Sequence, residues 1–267
     1  MTGKPTEAST YQALRGHLAT LRLAAAAEAL PGLLDEARAS SWSPTVLLER
    51  LFAVEAGAAE ERRRTALARF ACLPAPWRLS DFDFSAQPAV DKKLVEELAT
   101  LRFLDDATNI LFIGPPGVGK TMLAIGLAWA AVEAGHKVHY TTAADLAARC
   151  RRAALEGRWA ATMRFYSNPK FLVVDEVGYL QLPAEAAAAL FQVVAQRYLK
   201  GSTCVTTNLG IANWGKVAGD DPMVAAAMLD RLLHRSVVFN IDGPSYRMRA
   251  HRARAEATRK AVGANGR

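Results

Sequence analysis

Ile110-Leu111-Phe112-Ile113-Gly114-Pro115-Pro116-Gly117-Val118-Gly119-Lys120-Thr121 is an apolar run that enters a glycine-rich turn and continues, from Met122 to Ala134, as a helical stretch. Strand, loop and helix in that order form a phosphate-binding loop. Backbone N–H groups have to wrap around phosphate oxygens, and Gly114, Gly117 and Gly119 permit that close approach. Lys120 reaches the terminal phosphates as a point charge, and Thr121 offers a hydroxyl to Mg²⁺. The helix that starts there adds the partial positive charge of its N-terminus. Residues Gly114, Pro115, Pro116, Gly117, Val118, Gly119, Lys120, Thr121 and Met122 are therefore expected to hold a nucleoside triphosphate.

Working outward from the loop, helical patterns alternate with short apolar runs from residue 90 onward, which predicts a doubly wound α/β sheet. Strands are expected at 109–113, 137–141, 170–174, 203–207 and 236–241, with one crossover rich in arginine. The third strand, Phe171-Leu172-Val173-Val174-Asp175-Glu176, ends in two carboxylates. Asp175 suits a Mg²⁺ ligand, direct or through water. Glu176, the next residue, is placed to orient and deprotonate a water that attacks the γ-phosphate, which predicts hydrolysis. Thr203-Cys204-Val205-Thr206-Thr207-Asn208 reads as a buried strand that reaches polar residues at the same sheet edge, where parallel sheets bind ligands. Asn208 there suits a γ-phosphate or water contact, or an ordinary turn. Asp221-Pro222 opens a helix carrying Asp230-Arg231, followed by His234-Arg235; an arginine there fits either a neighbouring subunit's nucleotide or a surface ion pair.

The 267 residues, 51% of them hydrophobic, suffice for a sizeable core. Charges interrupt the apolar stretches well short of a bilayer span, and Met1-Thr2-Gly3-Lys4-Pro5 is no signal core, so a cytoplasmic protein with no membrane partner is expected. Cys72, Cys150 and Cys204 lack metal-ligand spacing and are expected as reduced thiols. The net charge of +7 is localised. Residues 149–170 hold six basic side chains against Glu156 alone, and residues 247–267 hold seven against Glu256 alone. Such clusters suit a polyanion, although a solvated helix face and a basic tail carry the same pattern.

Ahead of the sheet, residues 11–37 read as helix with Leu14, Leu18, Leu21 and Leu30 at helical spacing, broken or turned at Pro31-Gly32. A second helix is expected from Ser43 as N-cap, with Pro44 in the first turn, towards Arg69; Leu73-Pro74-Ala75-Pro76 stops it. This helical module contains no catalytic constellation. Its simplest roles are protein contact or structural extension of the core.

Seven segments together carry a resemblance: Asp81-Phe82-Asp83-Phe84, Gly114 to Thr121, Thr141-Thr142-Ala143-Ala144-Asp145-Leu146, Asp175-Glu176-Val177-Gly178-Tyr179-Leu180, Arg197-Tyr198, Leu229-Asp230-Arg231-Leu232-Leu233-His234 and Ser245-Tyr246-Arg247. Over about residues 11–252 the chain resembles the IstB-like transposition helper ATPases. These belong to the AAA+ superfamily, near the DnaC helicase loaders and DnaA initiators. The phosphate loop alone is unspecific; the later motifs in this order are specific.

The resemblance implies an AAA+ P-loop fold: a helical domain over 1–75 for assembly and transposase contact, an ATPase domain over 76–252 and a basic tail over 253–267. It implies ATP with Mg²⁺ on Thr121 and Asp175. Asn208 becomes the first sensor, Arg231 the arginine finger acting in trans, Arg247 the second sensor and Arg235 a second-choice finger. The Phe82 to Phe84 segment would lie near the adenine. Arg149, Arg151, Arg152, Arg158 and Arg164 occupy the region that follows DNA in this clade.

Two positions depart from the family pattern: Met122 and Arg235 each stand where relatives often carry His. The chain also ends soon after Arg247, too early for a full helical lid. The expected function is that of a homo-oligomeric ATPase that binds DNA with little sequence preference and presents it to a transposase, with hydrolysis driving disassembly. A DnaC-like helicase loader shares the core and would differ in the partner of the N-terminal helices. A small-molecule kinase would need an acceptor pocket and a lid, and the Asp175-Glu176 pair argues against a binding switch without turnover.

Overall fold

The computed structural model describes residues 6–179, 183–217, 221–246 and 248. Arg247 and the basic tail from 253 lie outside the described residues, as does any lid that would follow them. The chain divides into two compact units, 1–66 and 67–267. The division falls inside the third helix rather than in the proline connector near residue 75.

The first unit contains α1 (Glu7–Thr20), α2 (Ala24–Ala39) and most of α3 (Pro44–Ala71). The break expected at Pro31-Gly32 lies instead at residues 21–23, and Pro31 sits inside α2. Arg22 takes a left-handed φ of 59°. Its N–H donates to the Ala19 carbonyl at 3.0 Å, and the Leu23 N–H donates to Leu18 at 2.9 Å, a helix-ending motif closed by apolar contact between Leu18 and Leu23. A proline inside a helix costs about 3 kcal/mol. Burying Leu30, with Leu33 and Leu34 partly buried one turn later, contributes about 1.5–3 kcal/mol for each fully buried side chain. Burial therefore carries the helix through the proline. At the start of α3 the Ser43 hydroxyl accepts from the Val46 N–H at 3.4 Å, the cap expected from the sequence.

Glu55 joins these helices. Leu23, at the N-cap of α2, has no side-chain oxygen to offer. The Glu55 carboxylate of α3 accepts from the Ala26 N–H at 3.0 Å and from Arg62 at 2.7 Å. The Ala26 N–H, followed by Arg62, holds this carboxyl below the usual glutamate range.

The second unit is built on a fully parallel sheet in the order β2-β3-β4-β1-β5, with β1 Asn109–Ile113, β2 Val138–Thr142, β3 Phe171–Val177, β4 Ser202–Thr207 and β5 Ser236–Asn240. Strand alternation divides the core. Ile110, Phe112, Phe171 and Val173 pack with Leu123 and Leu127 of α5 (Lys120–Glu133). Leu111, Ile113, Leu172 and Val174 face the other way, towards Leu146 of α6 (Ala143–Leu155), Leu190 and Val193 of α8 (Ala184–Arg197) and Leu232 of α9 (Pro222–Leu233). The short helix α4 (Lys92–Ala99) adds Val95 and Leu98 to the first face, and α7 (Trp159–Ser167) adds Met163 and Tyr166 to the second. After β1 the chain crosses to the far edge at β2 and returns strand by strand, so β1 flanks the point where the winding reverses. That is where open parallel sheets bind ligands.

Arg197 locks the opposite end of the sheet. It is 1% exposed, and its guanidinium donates to the carbonyls of Tyr166 at 2.9 Å, Pro169 at 2.8 Å and Ser202 at 2.6 Å and to the Thr203 hydroxyl at 3.0 Å. Burial pushes its pKa from 12.5 down to about 9. One side chain thereby satisfies backbone acceptors at the end of α7 and the start of β4, which would otherwise be buried unpaired.

The Glu55 carboxyl titrates lower in the folded than in the unfolded chain, so its stabilisation is present above the ordinary value of 4.5 and is lost as pH falls through the folded value. Glu55→Gln is expected to lower the thermal midpoint at neutral pH, with the gap to the parent closing in acid. Circular dichroism melts across the range check this; a gap of constant size would attribute the effect of Glu55 to packing rather than charge.

Candidate active site

At the end of β1 the backbone turns through residues 114–119 into α5, with Gly117 at φ 85° and Gly119 at φ 98°. Both positions exclude a side chain twice over. Their φ is left-handed, and a Cβ on Gly119 would stand 2.6 Å from the Phe82 ring while one on Gly117 would collide with the Ser245 hydroxyl. Phe82 and Ser245 thus stand close against the loop, and the Tyr246 N–H donates to the Gly117 carbonyl at 2.9 Å. Beside the loop lies a cleft of about 310 Å³, lined along it by Pro116 to Met122 and elsewhere by Trp77, Phe82, Gln87, Glu176, Tyr179 and Tyr246, among others. Its size and aromatic wall suit a nucleotide, and the cradle without Cβ atoms suits phosphate.

Lys120 is buried and folds back on the loop. Its Nζ donates to the carbonyls of Gly114 at 2.6 Å and Pro115 at 2.8 Å, and to the Tyr179 hydroxyl at 3.3 Å. Val118 is buried beneath the loop, and Met122 is partly buried against the core as well as lining the cleft. Phe82 and Asp83 line the cleft, with Phe84 edge-on to Phe82 at 4.9 Å. The start of the Phe82 to Phe84 segment therefore lies beside the phosphate loop.

The carboxylate pair is divided by backbone geometry. The β3–β4 register shifts between Val174 and Val177, and Glu176 takes φ 60°. This bulge leaves Asp175 inside, 1% exposed, and turns Glu176 out into the cleft. Asp175 Oδ1 accepts from the Thr121 hydroxyl at 3.0 Å and from the Thr206 hydroxyl, and Oδ2 accepts from the Tyr140 hydroxyl at 2.7 Å. The Thr206 oxygen also accepts from the Glu176 N–H at 3.0 Å, which ties the bulge to β4. Burial, and then the Asp175 carboxylate, raise the Tyr140 pKa far above the phenol range.

Among the described residues no three His, Cys, Asp or Glu side chains gather to hold a metal. The Thr121–Asp175 pair instead fits a hard cation that takes its remaining ligands from phosphate and water. Tyr140 and Thr206 were not singled out from the sequence. Their roles depend on the β2–β3 and β3–β4 registers, and no local pattern encodes those; two hydroxyls at strand ends were the only available signal.

The structure brings the other expected site residues less close. Asn208 is exposed just beyond β4, next to Thr207, whose carbonyl accepts from the Gly114 N–H at 3.1 Å. It stands at the loop's edge but is not part of the cleft lining. Arg231 rests on its own helix, donating to the Ala227 carbonyl at 2.8 Å with its guanidinium 5.1 Å from the Phe191 ring centre. Arg235 is exposed and donates to the Asp106 carbonyl at 3.3 Å.

Arg151, Arg152 and Arg164 are exposed on α6 and α7, between β2 and β3. Arg158 is exposed and paired with Glu156. Arg149 stacks on Phe165 with its guanidinium 3.7 Å from the ring centre, so part of its binding capacity is engaged within the fold.

Comparison with known proteins gives a consistent result. The IstB-like ATP binding protein family matches residues 16–255. A protein named for ATP binding in insertion sequence IS5376 of Geobacillus stearothermophilus is 41% identical over 236 residues, 88% of this chain and 94% of that protein. Its counterpart in insertion sequence IS21 of Pseudomonas aeruginosa is 44% identical over 179 residues, 66% of this chain and 67% of that protein. Among solved structures, AMPPCP-bound DnaA from Aquifex aeolicus superimposes with a TM-score of 0.53 at 19% identity, over 64% of this chain and 51% of that one. DnaI does so with 0.51 at 15% identity, over 62% and 91%. These likenesses show the AAA+ fold.

Tyr140→Phe keeps the ring and deletes one of the hydroxyls that orient Asp175. It is expected to raise the Mg²⁺ concentration for half-maximal triphosphate binding by roughly tenfold, the scale on which groups behind a metal ligand act. Titration of a fluorescent triphosphate with Mg²⁺ measures it, and an unchanged midpoint would remove Tyr140 from this role.

Proposed function

The chain belongs to the IstB-like ATP binding protein family, and from that premise we propose that it is a transposition helper ATPase of a mobile element. In this reading it binds ATP with Mg²⁺, assembles as a homo-oligomer on DNA with little sequence preference, and presents that DNA to its transposase in the cytoplasm. Hydrolysis then drives disassembly. Among the described residues no helix is long and apolar enough to cross a membrane.

The observation that carries the reading is the bulge at Asp175 and Glu176 beside the phosphate loop. A binding switch needs a cation-holding carboxylate; it has no use for a second one aimed into the same cleft on a strained backbone. Mg²⁺, held by Thr121 and Asp175, would neutralise charge that develops on the phosphates. Glu176 is the general base for the attacking water. Lys120 and the loop N–H groups hold the phosphates, and Asn208, at the loop's edge, orients the water or the terminal phosphate. The position of Arg231, away from its own subunit's cleft, supports a role at a neighbour's nucleotide. Arg247, outside the described residues, is assigned to the second sensor by family pattern alone. Arg149, Arg151, Arg152, Arg158 and Arg164 form the DNA-facing set, and the helical unit serves assembly and transposase contact.

Three variants separate these roles. Lys120→Ala is expected to lose triphosphate binding. Glu176→Gln keeps it and loses turnover by roughly 10²–10⁴-fold. Arg231→Ala also binds and loses about a thousandfold in turnover, recovered in part on mixing with Lys120→Ala protein. Normal hydrolysis by Glu176→Gln would refute the assignment of the base, and normal hydrolysis by Arg231→Ala the trans mechanism.

DNA binding is expected to require ATP and to fall steeply with salt, because many arginines displace counterions together. Arg151→Glu with Arg152→Glu should abolish it in filter-binding assays across a salt series. A double variant that oligomerises and binds with the parental salt slope would move the DNA site elsewhere.

A further inference from the structure

We propose that a groove at the strand-entry edge of the sheet, at the far end of the strands from the nucleotide cleft, is a second DNA contact that takes the sugar–phosphate backbone; the inference rests on the DNA-binding reading above and deepens it. Three neighbouring strands are each entered through a lysine. Lys137 precedes β2, Lys170 precedes β3, and Lys200 stands two residues before β4. The Phe171 N–H donates to the Lys137 carbonyl at 3.3 Å and the Ser202 N–H to the Lys170 carbonyl at 3.0 Å. The ladder thus sets Lys137 beside Lys170, with Lys200 one residue short of the same row, at a strand spacing of about 4.8 Å. Arg197 ties in the neighbouring helix. It donates to the Ser167 carbonyl at the end of α7 at 3.3 Å, and its own carbonyl accepts from the Lys200 N–H at 2.9 Å, so Arg164 of α7 and the Lys200 turn are fixed against each other.

Lys137, Arg164 and Lys200 line a groove of about 670 Å³ together with Phe70 and Phe165, and the rest of its lining is uncharged. Among the described residues none of these three cations, nor Lys170, has a carboxylate within salt-bridge distance. Cations gathered without counter-charge focus a positive potential, and an anion seated among them relieves their repulsion. The two rings decide which part of a nucleic acid fits. The Lys137 nitrogen lies 4.4 Å from the Phe70 ring centre, the Arg149 guanidinium lies 3.7 Å from that of Phe165, and the rings tilt against each other at 5.5 Å. Cations and the neighbouring ring take up the faces on which a base would stack. The groove therefore offers charge rather than π surface, and it recognises phosphate without reading sequence. Repeating phosphates match a row of cations. Arg164 belongs both to this groove and to the arginine set proposed for DNA, so the groove continues that surface around the end of α7, which favours DNA over an acidic peptide.

The test measures duplex binding by the full-length parent and by Lys137→Gln with Lys200→Gln across a salt series, with Mg²⁺ and a non-hydrolysable ATP analogue, on two duplexes of unrelated sequence. Each phosphate no longer neutralised takes about 0.9 from the slope of log affinity against log salt, so the double variant is expected to lose roughly two units per bound subunit on both duplexes. Lys200→Gln alone, at an exposed position, is expected to lose about half as much and keeps the test open if the double variant folds poorly. Unchanged analogue affinity shows that the phosphate loop of either variant is folded. A slope change confined to one duplex would mean base readout and overturn the proposal. So would loss of poly-glutamate binding with the parental slope on DNA, which would give the groove to an acidic peptide. If the parent itself binds no duplex, the DNA-binding reading fails and takes this inference with it. A parent that binds while both variants keep its slope overturns the role of this groove alone.

Discussion

The active-site half of this molecule depends on one buried carboxylate. Asp175 is 1% exposed and, among the described residues, has no arginine or lysine as a hydrogen-bond donor, so burial of its charge is offset by hydroxyls: Thr121 from α5, Thr206 from β4 and Tyr140 from β2. Each donor comes from a different element, and the acceptor sits on a fourth. Any drift of the phosphate-loop helix against the sheet would leave at least one lone pair of this buried carboxylate unsatisfied. The position of Lys120, one residue before Thr121, is thereby fixed relative to the bulge that carries Glu176. Geometry that a ligand will later use is set by the need to solvate one charge from within.

A second polar device holds the other end of the sheet. Arg197 gathers the carbonyls where α7 ends and β4 begins, and among the described residues no carboxylate is its partner. The arginine-bearing helices α6 and α7 lie between β2 and β3, so the anchor of α7 is also the anchor of the surface assigned to DNA. Sheet and helix α7 share this anchor.

Much of this was legible in the sequence because it is encoded locally. Each of the five strands begins within one residue of its expected start, since each is a short apolar or β-branched run between helical patterns. The third extends to Val177 rather than 174 because the bulge absorbs the carboxylate pair without ending the strand. The loop, Thr121, Asp175 and Glu176 converge as their spacing implied. What the sequence did not disclose is non-local. Pro31 reads as a break in the sequence because its intrinsic cost is visible, while the burial of Leu30 that offsets it depends on packing. Tyr140 and Thr206 acquire their roles from strand register. Glu55 completes the N-terminus of α2 from another helix. The trans role proposed for Arg231 concerns a second copy of the chain; a single subunit shows only where that side chain rests, against Phe191.

Glu176 occupies a left-handed conformation that glycine and asparagine adopt more readily than glutamate. Glu176, the base in the proposed reading, is thus held on a backbone that would relax if the residue were lost, and in that reading activity and durability pull in opposite directions at this one site. For a chain that serves a mobile element, as proposed, this has a genealogical consequence. Under the proposed function, a copy that drifts to asparagine or glycine here would forfeit turnover while relieving the left-handed strain, so its product would persist and mix with active subunits. Decay at this position yields long-lived inert partners rather than unfolded chains.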